Sequence, residues 1–243
     1  MGESQSLEAI ILKRWDYGEK DQIVSFLSKE KGRLQGIAKG AKASLKRFGP
    51  ALDLFCWVKI QVKERKNSSL VFIEQAQLLS NFPKIRSDYQ AILLASGFLE
   101  TSHRVYKEGQ NDERAFRVLY RSLLHLEEAS PCNKIFWSFL LESLQVMGLA
   151  PQMEQCIKCG SKEKTALRFF DLLGGGMLCE ACYYPSQSFL ELSSELQKCL
   201  ENPAFLFETL KEKEEKVLNE VLLHHFRNHL HWDADWSRFL LVS

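Results

Sequence analysis

Cys156-Ile157-Lys158-Cys159-Gly160 is answered downstream by Cys179-Glu180-Ala181-Cys182, with nineteen residues, Gly160 through Leu178, between the two pairs. A C-x2-C-x19-C-x2-C spacing belongs to the four-cysteine zinc class. Each Cys-x-x-Cys turn aims two thiolates at one point, and two such turns complete a tetrahedron with Zn–S distances of about 2.3 Å. Gly160 suits the tight turn after the first pair because it takes positive φ without a Cβ clash. Two disulfides, or four unrelated buried thiols, are the competing readings. Four sulfurs fill the coordination shell, whereas a catalytic zinc keeps one position open. The motif therefore predicts one structural Zn2+ held by Cys156, Cys159, Cys179 and Cys182.

Upstream of the cysteines the hydrophobic period is two, and then it changes. Leu7–Trp15, Gln22–Ser28, Arg33–Lys39, Leu54–Lys63 and Leu70–Leu79 read as strands, with turns at Tyr17–Asp21, Lys31-Gly32 and Asn67–Ser69. In the fourth, Val58, Ile60 and Val62 alternate with Lys59, Gln61 and Lys63. Five strands in about 75 residues predict a small barrel, OB-type first and SH3-like second. From Phe82-Pro83 onward the period is helical. Ser87-x-x-Gln90 has the form of a capping box opening a helix to Val105, with Tyr89, Ile92, Leu93, Ser96 and Leu99 along one face. A second helix follows Gly109–Asp112 and a third runs from Ser130-Pro131 to Gly148. Between the cysteine pairs Leu167 to Met177 reads as a hairpin turning at Gly174-Gly175-Gly176, and no Lys-Ser/Thr follows to make a phosphate loop of it. Helices return over Ser193–Glu201 and Phe207–Leu230, the run from Lys211 to Lys216 being a solvated face.

The expected fold class is α+β: an N-terminal five-stranded OB-type β-barrel (1–80), then a mainly helical domain in two parts (81–150 and 187–243). The four-cysteine zinc ribbon (151–186) is inserted between those parts.

Net charge is +1, but residues 1–80 hold 14 Lys and Arg against 9 Asp and Glu, while the remainder holds 18 against 22. Between Lys29 and Arg47 seven cations face Glu30 alone. Such a cluster on one barrel face makes a groove for a nucleic-acid backbone. Arg33, Lys39, Lys42, Lys46 and Arg47 are its candidate contacts. Trp15, Tyr17 and Phe48 lie near enough in sequence to stack on bases, although the core is the ordinary home of any one of them. His224, His225, His229 and His231 read as a polar helix surface, since no Glu occupies the centre of an H-E-x-x-H site. Cys56, Cys132 and Cys199 are expected as plain buried thiols. The odd cysteine count and the absence of a secretory or membrane-spanning run point to a reducing cytoplasm. Nucleophile elbow, nucleotide loop and deaminase signature are all missing, so no enzyme is expected.

Taken together, these stretches resemble the bacterial RecO recombination-mediator family over nearly the whole chain. Tyr17-Gly18-Glu19…Asp21 and Gly32…Ala38-Lys39-Gly40-Ala41-Lys42 are similar to its barrel. Gly148-Leu149-Ala150-Pro151, the two Cys-x-x-Cys pairs and Gly174-Gly175 are similar to its ribbon, and Ser237-Arg238-Phe239-Leu240 to its C-terminal end. The resemblance implies a DNA repair and recombination protein of the nucleoid that binds single- and double-stranded DNA and anneals complementary strands. With RecR it would help load RecA onto strands coated by single-strand binding protein, whose C-terminal tail docks on the helical domain of some members. RecF and RecA are implied as indirect partners, and no membrane is. Lys39 and Lys42 lie in the matching motif, and some members lack the cysteines. A zinc-ribbon protein-interaction adaptor without direct DNA binding is the alternative.

Overall fold

The computed structural model describes residues 3–64, 68–185, 188–233 and 235–240. Asn67 of the expected third turn, Ser186 at the ribbon limit and Leu241 near the C-terminus lie outside them. The chain divides into two compact units, 1–136 with 237–243, and 137–236.

In the first unit, β1 (Ser4–Tyr17), β2 (Asp21–Ser28), β3 (Gly32–Ala38), β4 (Trp57–Lys63) and β5 (Val71–Ser80) close a barrel in the order β1-β2-β3-β5-β4. This is the OB-type arrangement the strand pattern predicts. Its 14 residues make β1 long enough to serve two partners. Its first half pairs with β4 (Leu7↔Ile60) and its second with β2 (Arg14↔Val24). The ring closes through a parallel seam of two pairs, Gly36↔Val71 and Ile37↔Phe72. Gly36 is required there, because a Cβ would stand 2.7 Å from Ile73 Cγ1. Alternation on β4 sends Val58, Ile60 and Val62 into the core beside Ile11, Phe26 and Ile73.

The basic stretch 39–50 is folded into turns, with Ala43 N–H donating to Gly40 O and Phe48 N–H to Ser44 O. Phe48 of this stretch and the following Ala51 and Leu52 are buried in the barrel core. The expected fourth strand starts three residues late. Phe55 sits at φ 66 and Cys56 N–H donates back to Asp53 O, a turn that strand pairing excludes.

Helices α1 (Pro83–Ser87), α2 (Tyr89–Val105) and α3 (Glu113–Glu128) complete this unit, and α4 (Asn133–Met147) begins in it. The cap of α2 is Asp88, whose carboxylate accepts from Gln90 and Ala91 N–H, and not Ser87, which closes the separate helix α1. The buried face of α2 is also not the one expected. Ala91, Leu94, Ala95, Phe98 and Leu99 are buried while Tyr89 is 74% exposed. Small residues decide this: a Cβ on Gly97 would meet Phe136 Cε2 at 2.5 Å and Phe239 Cγ at 3.1 Å.

The second unit holds β6 (Leu167–Asp171), β7 (Gly176–Cys179) and β8 (Phe189–Glu191) as a three-stranded sheet in the order β7-β6-β8. Helices α5 (Ser194–Glu201), α6 (Leu206–Thr209) and α7 (Glu212–Leu230) follow. The single helix expected from Phe207 is broken at Leu210, which is buried in an extended conformation, and Lys211 becomes the N-cap of α7. Glu214 reaches back to accept from Lys211 N–H, so one member of the expected solvated run caps a helix. Among the described residues no helix is long and apolar enough to cross a membrane.

Candidate metal centre and nucleic-acid interface

The first cysteine knuckle is built by backbone hydrogen bonds around Cys156. Gly160 N–H donates to Cys156 O at 2.8 Å, with Gly160 at φ 74, and Cys156 N–H donates to Ser161 O. The second follows directly from β7, where Cys179 ends the strand and Glu180–Cys182 make one 3-10 turn. Ile157 N–H donating to Met177 O ties the knuckles together. The glycine run explains how they come so close. A Cβ on Gly174 or Gly176 would lie 2.5 Å from the Ile157 side chain, so the first knuckle packs directly on this backbone.

All four sulfurs lie within 4.8 Å of one another, and Cys159 Sγ is 3.6 Å from Cys179 Sγ. Tetrahedral bonds of about 2.3 Å to one ion place sulfurs about 3.8 Å apart. A disulfide needs about 2.05 Å, so the donor set and spacing fit a tetrahedral metal ion. Burial opposes ionisation of Cys156, but backbone N–H donors from Cys159, Cys179 and Lys158 outweigh it and bring the thiol down to about 6. Cys182 is pushed up to about 12 by the neighbouring thiols of Cys159 and Cys179. The neighbouring thiols thus oppose ionisation of all four together, and a bound cation would remove that opposition.

The remaining thiols Cys56 and Cys199 are buried and Cys132 half-buried. His225 corrects the expectation of a polar helix surface. It is 3% exposed, with Nε2 2.6 Å from Leu149 O and its ring 4.3 Å from that of His229. The sequence signal was Gly175, whose Cα approaches both imidazoles so closely that a Cβ would stand 2.6 Å from His229 Nε2.

The basic candidates divide. Lys46 and Arg47 join Lys59 of β4 along a trough of about 430 Å³ whose remaining wall is largely Ser6, Gln61, Gln75 and Gln77. Ala76 N–H donating to Arg47 O fixes the basic turns against β5. The Arg47 guanidinium lies over the Phe48 ring and donates to Lys39 O at 2.7 Å. Lys39 is exposed nearby, and Lys42 pairs with Asp16 at 3.0 Å, which holds that carboxyl below its usual range. Arg33 is elsewhere: its Nε donates to Tyr106 O at 2.7 Å, binding β3 to the segment after α2. Of the three aromatics, Phe48 is core, Trp15 is half-buried and Tyr17 is 55% exposed. Lys59 was not singled out from sequence, although its place on the polar side of β4 was visible there.

Comparison with known proteins agrees with this architecture. The family description "Recombination protein O N terminal" matches residues 1–82 and "Recombination protein O C terminal" matches residues 86–238. A DNA repair protein RecO of Caldanaerobacter subterraneus is 30% identical over 247 residues, 96% of each chain. One from Nocardioides is 36% identical over 186 residues, covering 74% of this chain and 75% of the relative. One from Anaeromyxobacter dehalogenans is 32% identical over 176 residues, covering 72% and 69%. With the barrel, helices α2 to α7 and the four-sulfur cluster falling inside the matched segments, the chain belongs to the recombination protein O family, whose relatives are named for DNA repair.

Proposed function

We propose that the chain is a DNA repair and recombination mediator that binds single- and double-stranded DNA and promotes annealing of complementary strands. With RecR it helps load RecA onto strands coated by single-strand binding protein, whose C-terminal tail is a further contact. It works in the cytoplasm at the nucleoid and turns over no covalent bond. Its working parts are a barrel (1–80), helical segments (81–150 and 187–243) and a ribbon (151–186) holding one structural Zn2+.

The trough carries this reading. Lys46, Arg47 and Lys59 line it beside glutamine side chains and, among the described residues, no carboxylate, a surface that follows a phosphate backbone without reading bases. We assign DNA contacts to Lys39, Lys42, Lys46, Arg47 and Lys59, and to Arg33 a bracing role at β3. Arg47 also holds the turns in place, so the test leaves it intact. In Lys46→Glu with Lys59→Glu, removal of two phosphate contacts should flatten the slope of log affinity against log salt by about 1.4 on single strands. Fluorescence anisotropy of a labelled oligonucleotide across a salt series reads this, and unchanged affinity and slope would reject the placement.

A further inference from the structure

A second cationic cavity lies elsewhere in the first unit. It encloses about 590 Å³ and belongs to different residues from the trough. Its floor is apolar, made by Leu12 of β1, Phe55 of the loop before β4 and Leu99 of α2, all buried. Leu54, 37% exposed, forms a lip. Its cationic groups are Lys13, Arg104 and Arg238, with Glu100 the carboxylate among the lining residues.

Two backbone irregularities create it. The β1–β2 register shifts between Ile11 and Lys13, and at such a bulge consecutive residues oppose one partner. Leu12 and Lys13 thereby line the same space. On the facing loop Phe55 holds φ 66, a conformation that is costly for an aromatic residue and persists only where its surroundings enforce it. Glu100 Oε1 then accepts from both arginines, at 2.6 Å from Arg238 Nη2 and 3.2 Å from Arg104 Nε. One carboxylate orients two guanidinium forks, each side chain remaining 54% exposed. Burial first, and then Arg33, Lys13 and Arg104, bring the lining residue His103 down to about 4.

We propose that this cavity is a second binding site for single-stranded DNA, taking a backbone phosphate between Arg104, Arg238 and Lys13 and a base against the Leu12–Phe55–Leu99 floor. Paired guanidinium forks match phosphate oxygens, and an apolar floor accepts any base. The proposal rests on the reading of the chain as a DNA-binding protein and deepens it. Annealing requires two strands held together, and the trough and cavity give one chain two places to hold them.

The test uses the full chain and dT strands of about 6 nucleotides, short enough to occupy one site each. The wild type should bind two strands. Lys13→Glu with Arg238→Gln should bind one and lose annealing, and Lys46→Glu with Lys59→Glu should bind the other one. Glu100→Gln, which removes the carboxylate but keeps an acceptor for the arginines, should tighten the second binding event severalfold, a gain that a merely structural role would not give. A cavity variant that still binds two strands and anneals overturns the proposal while the trough reading stands. A wild type that binds no strand overturns both. Binding of an acidic peptide at Arg104 and Arg238, with DNA excluded from them, assigns the cavity to a protein partner and also overturns it.

Discussion

Replacing Gly32 with Ala should destabilise the first unit far more than the same change at Gly18, although both glycines sit in barrel turns at nearly equal φ, 66 and 62. An L-residue in this left-handed region costs about 1–2 kcal/mol at either place. At Gly18 a new Cβ meets nothing within 4 Å, so that is the whole expected effect. At Gly32 it would stand 1.9 Å from Gln110 O, a backbone atom that must retreat. The retreating segment holds two bonds to β3, Gly109 N–H to Arg33 O at 3.0 Å and Arg33 Nε–H to Tyr106 O at 2.7 Å. The first is worth about 0.5–1.5 kcal/mol and the second, with a charged donor, about 1.5–3. Gly32→Ala should therefore exceed Gly18→Ala by about 2–4.5 kcal/mol. Native-state hydrogen exchange of β2 and β3 amides over a urea series measures the two values in the same unit. A difference below about 0.5 kcal/mol, the ordinary error of such comparisons, would refute the reasoning.

Two further outcomes follow from the second unit. Chelation, or Cys159→Ser with Cys182→Ser, should release one metal ion per chain and lower the thermal stability of the 137–236 unit, because the knuckles pack on the glycine run that also meets α7; X-ray absorption should show four sulfur ligands, and retention of metal by the double variant would contradict the assignment. Burial, partly offset by the Leu149 carbonyl, brings His225 down to about 4, so the unfolded chain binds its proton first as pH falls. Stability should fall between pH 6.5 and 4 by up to about 3 kcal/mol from this residue, and His225→Asn should flatten that part of a pH–Tm profile; an unchanged profile would count against it.

Period-two and Cys-x-x-Cys patterns were legible because each is fixed by local geometry. Val58, Ile60 and Val62 had to share a face, and the cysteine spacing had to converge on one point. What failed to show depended on partners distant in the chain. The buried face of α2 is chosen by Gly97 fitting beneath Phe136 and Phe239, although Ile92 and Leu93 gave an equally apolar alternative. Strand β8 has three residues, and its pairing with β6 defines it more than its own composition does. His225 read as surface because no Glu completes an H-E-x-x-H site around it, and what sets it apart from exposed His229 is the carbonyl of Leu149, a partner 76 residues away. Among the basic candidates, charge alone put Arg33 with Lys46 and Arg47, whereas strand direction sends its side chain to Tyr106.

The parallel seam has a kinetic meaning. Four of the barrel's five junctions are antiparallel, whereas β3 and β5 meet through two residue pairs that lie about 35 residues apart in the chain. Loop closure over that length is paid late in folding, after the β1–β2–β3 meander and the β4–β5 hairpin have formed locally. The same seam is where the ring holds least, so transient opening of the barrel should begin between Gly36 and Val71. While it is open, the facing edges of β3 and β5 stand unpaired, and an edge that pairs with its own ring when closed can pair with another chain when open.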